Sequence, residues 1–124
     1  MNLLFWCSFI VAAKRPEYHL ALKNHLFYPA QIVIPANQKI KLVIHNHDNS
    51  VEEFDSFDLN REKVIFPQQK STIFIGPLTV GEYNFFGEYH PNSARGKVIV
   101  IEIKSNQDIP QQMLSPKQGA LNVN

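Results

Sequence analysis

The sequence predicts an all-β domain, a Greek-key β-sandwich of about eight strands, and three observations predict it. Short apolar runs rich in Val, Ile and Phe recur about every 8 to 12 residues, separated by Pro, Gly and Asn. No segment sustains a helical period, and several runs alternate apolar and polar residues with the period of two that half-buries a strand. At 124 residues the chain is one domain, large enough to bury a core without cross-links.

Taken in order, the first strand is predicted from Tyr18 to Lys23, with Tyr18, Leu20 and Leu22 inward and His19 outward to solvent. A second run covers Gln31 to Ile34. The third, Lys39 to Asn46, alternates: Ile40, Leu42 and Ile44 point one way, and Lys39, Lys41, Val43 and His45 the other. Five more follow at Glu53 to Phe57, Lys63 to Phe66, Ser71 to Ile75, Glu82 to Glu88 and Lys97 to Ile103. Turn residues mark the breaks: Pro35-Ala36-Asn37 ahead of one strand, Gly76-Pro77 after another, and Val80-Gly81 leading into Tyr83 and Phe85. This order of elements predicts two antiparallel sheets packed face to face.

The ends read differently. Residues 1–13 carry no charged side chain and close on Val11-Ala12-Ala13, the pattern of a secretory signal cleaved after Ala13, with an uncleaved anchor as the rival. The domain then runs over residues 14–104. From Ser105 onward the chain is poor in apolar residues and contains two prolines, so residues 105–124 are expected to be a flexible tail. Export to the periplasm or the medium follows from the N-terminal segment alone. The formal net charge is +1 and no block of like charges exists, which argues against nucleic acid as a partner.

Two polar patches could carry chemistry: NHDNSVEEFDSFDLNREKV, residues 46–64, and GEYHPNSARG, residues 87–96. Residues two apart on a strand share a face, so Glu53 aligns with Asp55, and Glu88 with His90. Each pair offers oxygen or imidazole donors to a hard or borderline cation, provided the two pairs meet in space. Taken singly, such residues are more often solvated surface than ligands. Glu62, in the mixed-charge run Arg61-Glu62-Lys63, joins them if its loop folds back toward Glu53. His45 and His47 are expected in solvent or supporting a ligand, while His25 could lie near a site built by later loops.

Sulfur is missing from this inventory. Cys7, the single cysteine, lies in the leader and Met113 in the tail, so a copper centre built on thiolate and thioether is excluded once the leader is removed. Covalent nucleophilic catalysis finds neither a Gly-x-Ser-x-Gly elbow nor a mature cysteine, and 5 glycines make no phosphate loop.

The segment from Phe27 to Ile103 resembles the cupredoxin superfamily. FYPAQIVIPANQKIKLVIHNHD looks like the family's opening, EEF like its first ligand-bearing segment, and PLTVGEYNFFGEYHPNSARGKVIV like its Tyr-x-Phe-x-Cys-x-x-His signature. On that pattern Tyr83, Phe85 and His90 match, Gly87 takes the position of the copper thiolate, and Glu53 that of the first histidine. The chain is therefore not expected to be a blue-copper electron carrier. It is more similar to cysteine-free cupredoxin-like domains of exported bacterial proteins, some associated with iron uptake through a ferroxidase-type permease system.

That resemblance implies a periplasmic domain that binds a copper or iron ion and assists Fe(II) oxidation or delivery to a membrane iron permease or other periplasmic iron-uptake components. It implies ligands among Glu53, Glu62, Glu88 and His90, with Asp55 and His25 as secondary candidates. Carboxylates stabilise Fe(III) over Fe(II), so such a site would favour oxidation. Two other readings stay open: a ferroxidase that turns over with oxygen, and a metal-free module that presents its loops to a partner.

Overall fold

A computed structural model describes residues 15–104 and the isolated Ser8; the expected tail and the rest of the expected leader lie outside the described residues. Nine strands form, β1 (Glu17–Lys23), β2 (Leu26–Tyr28), β3 (Gln31–Pro35), β4 (Ile40–Asn46), β5 (Glu52–Ser56), β6 (Arg61–Ile65), β7 (Lys70–Ile75), β8 (Gly81–Gly87) and β9 (Arg95–Ile101). They build a four-stranded sheet in the order β2-β1-β4-β7 and a five-stranded sheet in the order β3-β9-β8-β5-β6.

The eight expected strands are all present, and β2 is the addition: at three residues it is too short for periodicity to reveal. The sheets are not wholly antiparallel as expected. β1 pairs with β4, and β3 with β9, in parallel. Alternation shows which face of a strand is apolar; direction follows from how often the chain crosses between sheets, which no local pattern records.

The inward sets are those the alternation predicts. Tyr18, Leu20 and Leu22 from β1, and Ile40, Leu42 and Ile44 from β4, are buried against Ile32 and Ile34 of β3 and Val98 and Val100 of β9. Val43, on the opposite face of β4, is buried as well. Three phenylalanines join the two sheets: Phe54 of β5 lies 5.1 Å from Phe85 of β8, and Phe27 of β2 packs edge-on to Phe85 at 5.2 Å and to Phe54 at 6.2 Å. This cluster anchors β2, β5 and β8 beside one another, at the end of the sandwich where the polar loops converge.

Candidate metal centre

Three elements deliver side chains to that end. The first is the β1–β2 hairpin. Lys23 pairs with Leu26, so the turn is Asn24-His25, and both residues have positive φ, 52° and 59°. Two left-handed residues in a two-residue loop make a type I′ turn, which matches the twist of its strands. Asparagine suits that backbone, whereas histidine is held there at some cost. Asp48, in the loop after β4, offsets it: its Oδ1 accepts from the Asn24 amide at 2.6 Å, and its Oδ2 from the His25 amide at 3.0 Å. His25 Nδ1 lies 3.5 Å from the same Oδ2. The loop is itself braced by Asn46, whose Oδ1 accepts from the Asp48 amide at 2.9 Å.

The second element is β5. Phe54 enters the core, so Glu52, two residues earlier, faces inward too and is only 1% exposed. Burying a carboxylate is expensive unless its oxygens are satisfied, and here they are. Oε1 accepts from the amides of Glu53 at 3.0 Å and Tyr89 at 2.9 Å, and Oε2 lies 2.7 Å from His90 Nδ1.

The third is the loop after β8. The Gly87 amide donates to the Ala94 carbonyl at 2.7 Å, and the His90 carbonyl accepts from the amides of Ser93 at 3.2 Å and Ala94 at 2.9 Å. These bonds close the loop around His90 and set its ring on the imidazole of His25, with centroids 3.5 Å apart and planes 14° from parallel. One donor atom from each of His25, Glu52 and His90 lies within 4.8 Å of the others. That span is close to the ~4.2 Å separating opposite ligands bound at about 2.1 Å.

Gly87 explains how Glu52 fits. A Cβ at position 87 would stand 2.7 Å from Glu52 Cδ, 2.9 Å from its Oε1 and 2.8 Å from Ala94 Cβ. The Glu52 carboxyl thus occupies the volume that a side chain at 87 would fill. A cysteine at 87 and Glu52 in its present place exclude each other sterically. Among the described residues no sulfur is available; the donors here are oxygen and imidazole nitrogen, a set that suits Cu(II), Fe(II), Fe(III) or Zn(II).

The structure sorts the residues expected from sequence. His90 and His25 come together, joined by Glu52, which the sequence reading passed over in favour of its neighbour. Glu53 lies on the opposite face of β5 with Asp55, and the β5–β6 hairpin sets Glu62 directly across from Asp55. Glu53, Asp55 and Glu62 form a separate group with oxygens within 4.8 Å of one another. The two expected ligand pairs therefore do not meet. Glu88 is exposed and belongs to neither group, because β8 ends at Gly87 and strand parity lapses in the turn beyond it. The signal for Glu52 was present: with Phe54 in the core, parity places Glu52 inside and Glu53 outside.

Tyr89 links the two groups. Its amide binds Glu52, and its hydroxyl donates to Glu53 Oε2 at 3.2 Å. That hydrogen bond, reinforced by desolvation and the charges of Glu53, Glu52 and Glu88, raises the phenol pKa above its ordinary value of 10.0.

Comparison with known proteins agrees with this architecture. A model of the cupredoxin-like domain family matches residues 1–100. An uncharacterized protein of Rickettsia prowazekii (strain Madrid E) is 42% identical over 84 residues, 68% of this chain and 67% of that protein. Among solved structures, the metal binding domain of the Cu(I) exporting P-type ATPase CopA of Streptococcus pneumoniae D39 superposes with a TM-score of 0.61 at 15% identity, covering 73% of this chain and 92% of that one. Auracyanin A, a blue copper protein of Chloroflexus aurantiacus, gives 0.62 at 10% identity over 71% of this chain and 100% of its own. Amicyanin of Paracoccus versutus gives 0.54 at 18% identity over 72% and 85%. With the family match covering residues 1–100 and the β-sandwich in agreement with it, the chain belongs to the cupredoxin-like domain family.

Proposed function

We propose that this chain is an exported metal-binding protein that takes up copper or iron through His25 and His90, with Glu52 as the carboxylate behind His90, and works in the acquisition of one of these metals, passing it to a membrane permease or another periplasmic uptake component. The observation that carries this reading is the convergence of two imidazoles and a buried carboxylate at the loop end of the sandwich, beside a glycine whose missing side chain makes room for the carboxylate. Relatives of the same fold include the metal binding domain of a Cu(I) exporting ATPase and a blue copper protein, which supports a metal role without specifying this one.

In this reading the protein does two things. Glu52, fixed by two backbone amides, orients His90 through Nδ1 and leaves Nε2 facing outward. Asp48 holds His25 in its turn. Bound there, the metal would supply a one-electron couple shifted toward its oxidised form by the carboxylate.

The test is metal loading of purified full-length chain with Cu(II) and with Fe(II) under exclusion of oxygen, read by elemental analysis and EPR. Wild type is expected to hold stoichiometric metal, with loss in His90→Ala and His25→Ala and weakening in Glu52→Gln. Unchanged loading in His90→Ala and His25→Ala refutes the site. Absence of binding below about millimolar metal moves the function to the metal-free interaction module. Consumption of Fe(II) in excess of protein when oxygen is admitted identifies a ferroxidase rather than a carrier.

A further inference from the structure

The outer face of the four-stranded sheet carries polar side chains that the centre at His25, Glu52 and His90 does not use. β1 and β4 run parallel, with Glu17 opposite Lys41, His19 opposite Val43 and Ala21 opposite His45. Glu17, His19 and His45 therefore share one face, and the two histidines are diagonal neighbours across the pair. His19 Nδ1 lies 2.9 Å from His45 Nε2, with the rings 28° from parallel. The other nitrogen of His19, Nε2, meets Glu17 Oε1 at 3.0 Å, and the second Glu17 oxygen is 3.5 Å from Lys41 Nζ. Farther along the same face, the His47 ring is parallel to that of His45 at 6.2 Å.

This arrangement has the anatomy of a ligand pair with its supporting carboxylate. Glu17 accepts from Nε2–H of His19, which fixes the tautomer and leaves Nδ1 with its lone pair aimed at His45, as carboxylates do behind metal-bound histidines. Without metal, an N–H of His45 satisfies that lone pair. Replacing this one proton with a cation, with both rings turned about their side-chain bonds so that their lone pairs converge on it, makes both nitrogens ligands while the strands stay in place.

Two imidazole nitrogens suit Cu(II), which stands at the top of the affinity order for nitrogen donors. We propose that His19 Nδ1 and His45 Nε2 form a second metal site, on the outer face of the four-stranded sheet, that takes Cu(II), with Glu17 as its positioning carboxylate. Two protein ligands leave the remaining positions to water. Lys41 and Lys70, the latter paired opposite His45 on β7, keep the site's affinity modest.

The test is Cu(II) titration of full-length, metal-free chain, read by EPR against a competing chelator, with circular dichroism as the check on folding. Wild type is expected to bind two equivalents. His90→Ala is expected to keep one equivalent, whose EPR spectrum carries hyperfine structure from imidazole nitrogen. His45→Gln is expected to keep the other, and the two substitutions combined to keep neither. Glu17→Gln should weaken the second equivalent by about 10- to 100-fold and leave the first unchanged. Retention of both equivalents by folded His45→Gln, a single wild-type equivalent lost in His90→Ala, or Cu(II) without imidazole nitrogen in His90→Ala overturns the proposal. Failure of the first site alone leaves a single equivalent that depends on His45, so the two outcomes are distinguishable.

Discussion

Substituting Gly87 by alanine probes how the metal centre is built. The added Cβ would sit 2.7 Å from Glu52 Cδ and 2.8 Å from Ala94 Cβ, where unstrained carbon contacts are about 3.5–4.0 Å. Neither neighbour can withdraw freely, since Ala94 is 0% and Glu52 1% exposed. Overpacking of this kind costs about 1–3 kcal/mol. Displacing the Glu52 carboxyl also disturbs its bonds to the Glu53 and Tyr89 amides and to His90, which brings the expected loss to roughly 2–4 kcal/mol. For a domain of this size that lowers Tm by about 10–20 °C, measurable by thermal unfolding followed by circular dichroism. Repeating the substitution in a Glu52→Ala background removes the main obstacle, so its cost there should be smaller by at least ~1 kcal/mol. Metal loading should fall in Gly87→Ala along with stability. A Tm within about 2 °C of wild type, or equal costs in the two backgrounds, would refute the argument that the missing side chain at 87 makes room for the carboxylate.

Four further outcomes follow from the same geometry. Asp48→Ala removes the acceptor of the Asn24 and His25 amides, and should cost about 1–2 kcal/mol by denaturant unfolding while reducing metal loading, because His25 loses the support for its left-handed backbone. His45 is pushed below the ordinary 6.5, first by desolvation and then by the charges of His19, His47 and Lys70. The unfolded chain therefore binds the proton more readily, and stability of the metal-free protein should fall as pH drops from about 7 through 6.5 to the folded pKa; an NMR midpoint for His45 at or above 6.5 contradicts this. Burial pushes the Tyr18 phenol up to about 12, so an absorbance titration near 295 nm should contain a midpoint that high, which Tyr18→Phe removes. In the same titration Glu53→Gln should return Tyr89 toward its ordinary value, and a Tyr89 midpoint that does not move would remove Glu53 as the cause.

Much of this molecule is legible in one dimension. The alternation of Tyr18, Leu20 and Leu22, and of Ile40, Leu42 and Ile44, identifies the inner faces because side chains on a strand change sides at every residue, and that rule operates within a few neighbouring positions. The inventory of donors is equally local: residues 15–104 contain neither cysteine nor methionine, so a metal bound by those residues must use oxygen and nitrogen. Parity even singles out Glu52 over Glu53 once Phe54 is taken as core.

The tertiary structure decided which donors meet. His25 reaches His90 because a type I′ turn and Asp48 hold it there, and Glu52 joins them because Gly87, 35 residues along the chain, leaves it room. His19 finds His45 because β1 and β4 lie parallel, where an antiparallel pairing was expected. The physical reason is the same in each case. Periodicity records a residue's face relative to its own strand, whereas a site is made by the pairing of strands distant in sequence, through contacts whose partners and direction leave no mark in the local pattern.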